Sequence, residues 1–596
     1  MATEISRGER ALQELRPVRV LHPLLLALIP LCGNYAYGEN AGLLPVSALA
    51  RPALVLIAVA TGLWLLFSAI RKDRYHGGLL ASALIVPFIV VWGALEETIR
   101  AVIPLFGTSP RAPFYLALVG AGAALVAAVA YRYWTDRAHL RGALAFVIVL
   151  LAAGLLAATF LLGPMFGRRA AWLIAAYTAA AVVGFRAVWN YHGDAQAATR
   201  SLNWFAAMLL ALYGAVLAFN RPERPEVTPP TLPVADGAKA VPVEQRPDIY
   251  LIALDGYARA DVLRTHFAYN DMPFENEMKA MGFRIAERSV ANYPQAVLSL
   301  AALLNADYLE NLDGAPGAGG KVSLAHGFAY YHRNSVFDAL RGLGYRIESF
   351  SPGLEALEPR SEDLVRHAPR GALGEFEMVL IDRTFASRAM QAYYYVRYQN
   401  PAYWRYSYRR DRVLFAFEEM ARIAQDTAGP PRLIFANLLI PEMPYLFTRD
   451  GGRAQPFGPG SLASDRRFRG IEAEYRAAYL DQLDFTNEKL VQTAKRILET
   501  SKRPAVIIVV SGRGAPSSPE HQPGPDQERF QNLLMVRFPD RVDADTVARP
   551  DGWRDDLSLV NVFRVVLNQA LDAGLPLLED KTYTPTEIAP LATPAR

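Results

Sequence analysis

Cysteine is almost absent: Cys32 is the only one in 596 residues, and it lies within an apolar run. One chain therefore holds neither a disulfide framework nor a metal site built on several thiolates. Clustered positive charge is missing too. With 62 Lys and Arg against 58 Asp and Glu the net charge is only +4, and there is no basic block or basic-aromatic repeat of the kind that tracks nucleic acid. Nucleic acid is thus excluded as a partner. The polar excess of an ordinary soluble enzyme is also lacking, since 52% of residues are hydrophobic and mean hydropathy is +0.11. That balance is too polar for a pure transporter, and it predicts a two-part protein.

The apolar excess sits in the N-terminal third. Seven segments, near residues 18–37, 52–70, 77–97, 113–134, 142–163, 169–188 and 201–219, are long enough to cross a hydrocarbon core of roughly 30 Å. No small-residue cleavage site follows the first run, so it is expected to stay in the membrane. With a cytoplasmic N-terminus the inner loops receive Arg7, Arg10, Arg16, Arg19, Arg71, Lys72, Arg74, Arg132, Arg137, Arg141, Arg186 and Arg200. The outer loops receive only Arg51, Arg100, Arg111, Arg168 and Arg169. This bias, with an odd number of spans, predicts a multi-pass membrane protein in which everything after Asn220 lies outside the cytoplasm. Charges within spans would mark a carrier, but Glu96, Glu97 and Arg186 sit at helix ends, where snorkelling is the plain account. A transporter has little support, because no span is visibly broken around a buried charge.

Three parts follow: a transmembrane region over 1–220, a Pro-rich spacer over 221–247 and an outer domain over 248–596. In the last, strand-like runs at 249–254, 345–350, 433–439, 506–510 and 533–538 alternate with helical patterns near 271–281, 295–304, 333–343, 410–425, 468–500 and 557–570. The alternation predicts an α/β fold with a mainly parallel sheet flanked by helices. Residues 314–323, G-A-P-G-A-G-G-K-V-S, imitate a phosphate-binding loop. The motif fails at Ala315, where a glycine is required, and at Val322, where the magnesium-binding hydroxyl belongs; a surface loop is expected.

Chemistry is concentrated at strand ends. The run I-Y-L-I-A-L-D-G ends on Asp255, a usual place for a metal-binding acid, although Asp-Gly is also an ordinary turn. A-N-Y-P-Q-A-V-L-S-L (291–300), P-E-M-P-Y-L-F (441–447), V-S-G-R-G-A-P (510–516) and D-L-S-L-V-N-V-F-R-V-V-L-N (556–568) complete the set. Together these stretches resemble the membrane-anchored branch of the sulfatase and alkaline-phosphatase superfamily, similar to lipoteichoic-acid synthases and to phosphoglycerol or phosphoethanolamine transferases. The resemblance covers most of 246–580. It implies an extracytoplasmic α/β domain in which a divalent metal activates a threonine nucleophile.

The resemblance also shows what this chain lacks. Asp255 matches the relatives' first metal-binding acid. Their nucleophilic threonine, in a motif like N-Y-x-Q-T, falls on Ala296, and a methyl group cannot attack phosphorus or sulfur. The histidine of P-H-x-P-F falls on Glu442, and Asn437 sits where relatives often carry another. The G-D-H-G-P segment aligns with Arg513 on the aspartate and Gly514 on the histidine. Arginine has no lone pair and would repel a cation. Two placements are open for Arg513: an internal ion pair with Asp255 and Glu442 in the metal's stead, or a solvent-facing side chain on a loop.

Two functions compete. The favoured one is a catalytically inactive, membrane-anchored relative with a binding, structural or partner-regulating role, its partners being the bilayer and a lipid headgroup, an envelope glycan or a protein, with no cofactor. The alternative is a working metal-dependent hydrolase or transferase using Mn, Mg, Ca or Zn in a rearranged site, with Ser299, His521 and Glu442 as rescue residues. Ser299 lies a full helical turn from the nucleophile position, too far for in-line attack, and a histidine in a Pro-rich loop is usually just exposed. In 392–412, Tyr395, Arg397, Tyr403, Trp404 and Arg405 suit a membrane surface or a glycan, with aromatic packing between helices as the plain alternative.

Overall fold

A computed structural model describes residues 18–37, 44–93, 168–219, 225–312, 322–369, 373–400, 403–426, 429–454, 472–517, 527–539, 552–584 and 588–589. The chain divides into two compact units. One contains residues 45–221 and 377–404, the other essentially 222–376 and 405–596.

The first unit is helical: α1 His22–Tyr37, α2 Ala50–Arg71, α3 Arg74–Ile85, α4 Arg168–Trp189 and α5 Ala195–Phe219. Between α2 and α3 the chain reverses through Lys72 in the left-handed region (φ 54°), and Asp73 caps α3 by accepting the Tyr75 amide at 2.9 Å. Small residues line the contacts, with Ala27, Ala60, Ala81 and Ala206 fully buried. Gly77 is needed where α3 crosses α2, because a Cβ there would lie 2.6 Å from the Ser68 Cα. Such close backbone approach is how apolar helices gain dispersion energy in lipid. α3 widens into a π-helical turn over Val86–Val91, beginning beside Pro87, which has no amide hydrogen for the regular ladder. Among the described residues three helices, Val46–Arg71, Arg74–Val91 and Ala195–Ala218, are long and apolar enough to cross a membrane. Their outward surface carries exposed Leu54, Val55, Leu65, Trp204, Met208 and Leu212. The expected spans over 113–134 and 142–163, and Glu96 and Glu97, lie outside the described residues. Arg186 is exposed on α4.

Among the described residues the second unit has nine strands: β1 Asp248–Asp255, β2 Phe283–Ile285, β3 Val322–Ser323, β4 Arg346–Phe350, β5 Leu364–Arg366, β6 Arg432–Pro441, β7 Ala505–Ser511, β8 Leu534–Arg537 and β9 Ile588–Ala589. Seven form one sheet in the order β2-β8-β7-β1-β6-β4-β5, while β3 pairs with β9 apart from it. The core of the sheet is parallel; β8 and β2 run antiparallel at one edge. β1, β6 and β7 are buried along almost their whole length, which is why their sequences read as unbroken apolar runs rather than alternations. The helices used below are α6 Ala296–Asn305, α7 Glu375–Asp382, α8 Ala386–Tyr398, α9 Trp404–Ile423, α10 Glu472–Thr500 and α11 Val562–Leu571.

Two expectations are corrected. The Pro-rich stretch, where described, is no free spacer: Val227, Leu232 and Ala238 are buried in the sheet unit's core, and the Ala235 amide donates to the Ala573 carbonyl at 2.8 Å. Its apolar residues at intervals among the prolines find a groove to fill. Residues 377–404 lie within the outer domain by sequence but cluster with the apolar helices of the first unit. In the imitation phosphate loop, residues 314–321 lie outside the described residues.

A buried polar triangle joins the loop after β1 to α10. Asn487 Nδ2 donates to Asp271 Oδ1 at 2.8 Å, and Tyr257 Oη lies 2.9 Å from Asp271 Oδ2 and 2.6 Å from Asn487 Oδ1. One phenol hydrogen cannot serve both oxygens. A proton on Asp271 Oδ2 resolves this, because the carboxyl then donates to Tyr257 and Tyr257 donates to Asn487. Burial pushes the Asp271 pKa up to about 7 against these hydrogen bonds. An acid raised in the folded state gives stability that is complete below its unfolded pKa and is lost as pH rises through the folded value. The full-length protein in detergent is therefore expected to lose roughly 2–4 kcal/mol of this contribution between about pH 4 and pH 8. Asp271→Asn, whose amide donates to Tyr257 at any pH, should flatten that slope in urea titrations.

Candidate functional site

The three central strands run parallel, so their carboxyl ends share one edge. Asp255 ends β1, Glu442 follows β6 and Arg513 lies two residues beyond β7. Backbone bonds fix the ends together: the Glu442 amide donates to the Asp255 carbonyl and the Gly512 amide to the Leu254 carbonyl, each at 2.9 Å. Gly256 adopts φ +72°, and a Cβ there would stand 2.5 Å from Glu442 Oε2. Glycine is required on both counts.

Arg513 bridges the two acids. Its Nε donates to Asp255 Oδ1 at 2.9 Å, and its Nη2 lies 2.8 Å from Glu442 Oε2, with only 6% of the arginine side chain exposed. Burial alone would weaken the cation; Glu442 and Asp255 more than offset it and hold the guanidinium pKa above its ordinary value. Of the two placements open from sequence, the structure has the internal ion pair. Ser511 shapes the turn that delivers it, its Oγ donating to the Arg513 carbonyl at 2.6 Å and accepting the Tyr257 amide at 3.0 Å.

Helix α10 holds the surrounding loops from one face. Tyr475 Oη donates to the Pro516 carbonyl at 2.7 Å, Tyr479 Oη to the Gly256 carbonyl at 3.1 Å, and Gln482 Nε2 to the Pro441 and Glu442 carbonyls at 3.0 and 3.1 Å. Burial, followed by the nearby Glu442 charge, pushes the Tyr475 phenol well up, so it remains a neutral donor. Sequence reading passed over these residues. Their signal was the spacing of 475, 479 and 482, which puts three polar-tipped side chains on one helix face.

Ala296 is brought to the same edge as the first residue of α6, and a Cβ on Gly512 would lie 2.8 Å from the Ala296 Cβ. Gly514 admits no side chain, because its Cβ would meet the Glu528 carbonyl oxygen at 2.1 Å and that of Gln531 at 2.3 Å. Ser299 is corrected as a rescue nucleophile. It is fully buried, donates to the Tyr293 carbonyl at 2.9 Å and accepts the Tyr293 amide at 3.0 Å, so its hydroxyl is committed to shaping its own loop. Asn437 is buried in β6 and donates to Tyr331 Oη at 3.1 Å. His521 lies outside the described residues. Tyr403 and Trp404, read as surface contacts, are 3% and 0% exposed, and the Tyr403 ring packs against Tyr394 and Tyr398. Tyr395 and Arg405 are half-buried and Arg397 is exposed.

Among the described residues no three His, Cys, Asp or Glu side chains are grouped to hold a metal ion. A divalent cation between Asp255 and Glu442 would have to displace a guanidinium that already satisfies both. This donor set does not fit one.

No family model matches the chain, and no curated protein matches it. Solved structures do. The periplasmic domain of EcEptC from Escherichia coli is similar at 12% identity over 57% of this chain and 86% of that one, with a TM-score of 0.36. The integral membrane lipooligosaccharide phosphoethanolamine transferase A (EptA) from Neisseria meningitidis is similar at 9% identity over 83% of this chain and 95% of that one, with a TM-score of 0.35. A Vibrio parahaemolyticus protein in the alkaline phosphatase superfamily is similar at 10% identity over 55% and 67%, with a TM-score of 0.31. Likenesses this distant assign no activity.

Two stability measurements follow. Gly514→Ala should cost at least about 2 kcal/mol, because the obstacles are backbone carbonyls that cannot swing aside. Arg513→Ala should cost about 3 kcal/mol by leaving two largely buried carboxylates unpaired. Combined with Asp255→Ala, the loss should fall short of the sum by about 1 kcal/mol or more; additive losses in a double-mutant cycle would reject the coupling.

Proposed function

We propose that this chain is a membrane-anchored protein of sulfatase-like architecture whose outer domain binds or regulates rather than catalyses. The observation that carries the reading is the Arg513 guanidinium between Asp255 and Glu442. Metal-assisted transfer of a phosphoryl or sulfuryl group needs a cation at those carboxylates and a nucleophile facing it. Here a side chain supplies the positive charge, and the residue opening α6 is Ala296, without a hydroxyl. The edge is a filled surface, its two acids sharing one fixed cation, that keeps the fold's shape without its reagents.

The charge bias of the loops supports a multi-pass arrangement in a bacterial-type inner membrane, with the sheet unit on the periplasmic side. The partner there is a lipid headgroup, an envelope glycan or another protein.

Elemental analysis of the purified full-length protein is expected to find Mn, Mg, Ca and Zn all well below one per chain. Phosphodiester and sulfate-ester assays supplemented with each ion should show no turnover above that of Asp255→Ala. Stoichiometric metal together with turnover that Asp255→Ala abolishes would establish a working enzyme instead.

A further inference from the structure

Helix α8 is inside out for a water-soluble protein. Its exposed positions Ala386, Ala389, Tyr393 and Val396 follow the helical repeat and form one apolar stripe, with Tyr393 61% and Val396 69% exposed. Its small polar residue, Ser387, is buried instead. Beside the stripe, exposed Arg397 lies with its guanidinium 4.9 Å from the Tyr398 ring centre.

The turn before α8 is seated on the end of a membrane-crossing helix. The Phe385 amide donates to the Phe88 carbonyl at 2.8 Å, and its ring packs edge-on against Phe88 at 4.9 Å and Trp92 at 5.0 Å. Arg388 lies over the Trp92 ring at 5.5 Å. Gly93 lets the turn come close, since a Cβ there would stand 2.5 Å from the Arg383 carbonyl oxygen. At the neighbouring end of α2, Arg51 pairs with Glu377. The segment is therefore held to the ends of two helices, Val46–Arg71 and Arg74–Val91, that meet on the same side. These contacts fix its depth at the boundary where the apolar helix surface stops.

We infer that α8 lies in the headgroup layer of the membrane crossed by α2 and α3, with Ala386, Ala389, Tyr393 and Val396 facing the lipid and Arg397 reaching for lipid phosphate. A helix with an apolar stripe, tyrosines and an arginine at its margin is built for that layer, where it enters by roughly 5–10 Å. Continuity with the exposed apolar side chains of α2 selects lipid as the occupant. The inference rests on the membrane reading of the helices, and the test separates the two.

The sole cysteine is removed by Cys32→Ala, and single cysteines are placed at exposed positions as Val396→Cys, Tyr393→Cys, Leu65→Cys and Lys495→Cys. Each full-length variant carries an environment-sensitive fluorophore in phosphatidylethanolamine–phosphatidylglycerol vesicles containing quencher lipids. Labels at 393 and 396 should emit to the blue of the label at 495. Quenching should be about twofold stronger from a quencher near the headgroup than from one at the chain terminus. The label in α2 should show the reverse preference. If the α2 label is quenched while those at 393 and 396 report water, the headgroup placement is wrong and the membrane reading stands. If the α2 label is not quenched, both fall. Labels at 393 and 396 that are shielded but quenched by neither lipid, and become exposed on diluting protein into excess lipid, would assign the stripe to a second copy of the chain and overturn the inference.

Discussion

Three charges meet at the end of β1, and the shape of the sheet's carboxyl edge depends on how one cation is shared between two acids. Asp255 and Glu442 come from adjacent parallel strands whose backbone pairing holds them side by side. Two carboxylates so placed and mostly removed from water repel, and each has lost hydration that something must replace. Arg513 provides two directed hydrogen bonds and the opposite charge. Its planar fork directs Nε to one acid and Nη2 to the other in a fixed geometry. Around this pair the loops close with little freedom, held through Gly256, Ser511 and the α10 face of Tyr475, Tyr479 and Gln482.

The other end of β1 repeats the device. Asp248 is 1% exposed at the first position of the strand, where Arg432 Nη2 pairs with it at 2.9 Å. β1 is thus an apolar strand with an acid at each end, and each acid is matched by an arginine from a neighbouring strand or its loop. In parallel sheets the strand ends are where backbone groups run out of partners. Paired charges finish the ladder there without inviting water into the core. At the Asp255 end the same logic occupies the place where the resemblance expects a metal, so stability and reactivity compete for one position.

The two units are interleaved in sequence. Residues 225–247 pack on the sheet unit, while residues 377–404 leave the sheet unit's sequence to join the helices. Within the helical unit that insertion docks on the ends of α2 and α3 by Phe385, Arg388 and Glu377. The burial of Tyr403 and Trp404 belongs to this docking segment, which explains why an aromatic-basic stretch that reads as one surface splits into a buried half and an exposed half.

Much of the scaffold was legible in the residues. Unbroken runs such as V-I-I-V-V can only be strands covered on both faces, and the parallel order follows from the helices alternating with them. The resemblance to the family's motifs marked Asp255, Ala296, Glu442, Arg513 and Gly514 as neighbours. What it left open was the direction of Arg513, because a guanidinium on a loop after a strand can face either water or the core, and local sequence does not encode which. Burial decided that, by placing two acids within its reach and no solvent to compete. Tertiary packing likewise decided that Gly514 admits no side chain, that the Ser299 hydroxyl is spent on Tyr293, and that residues 377–404 join the apolar helices. Each of these depends on atoms brought together from distant parts of the chain, and a linear pattern carries the chemistry of those atoms but not their distances.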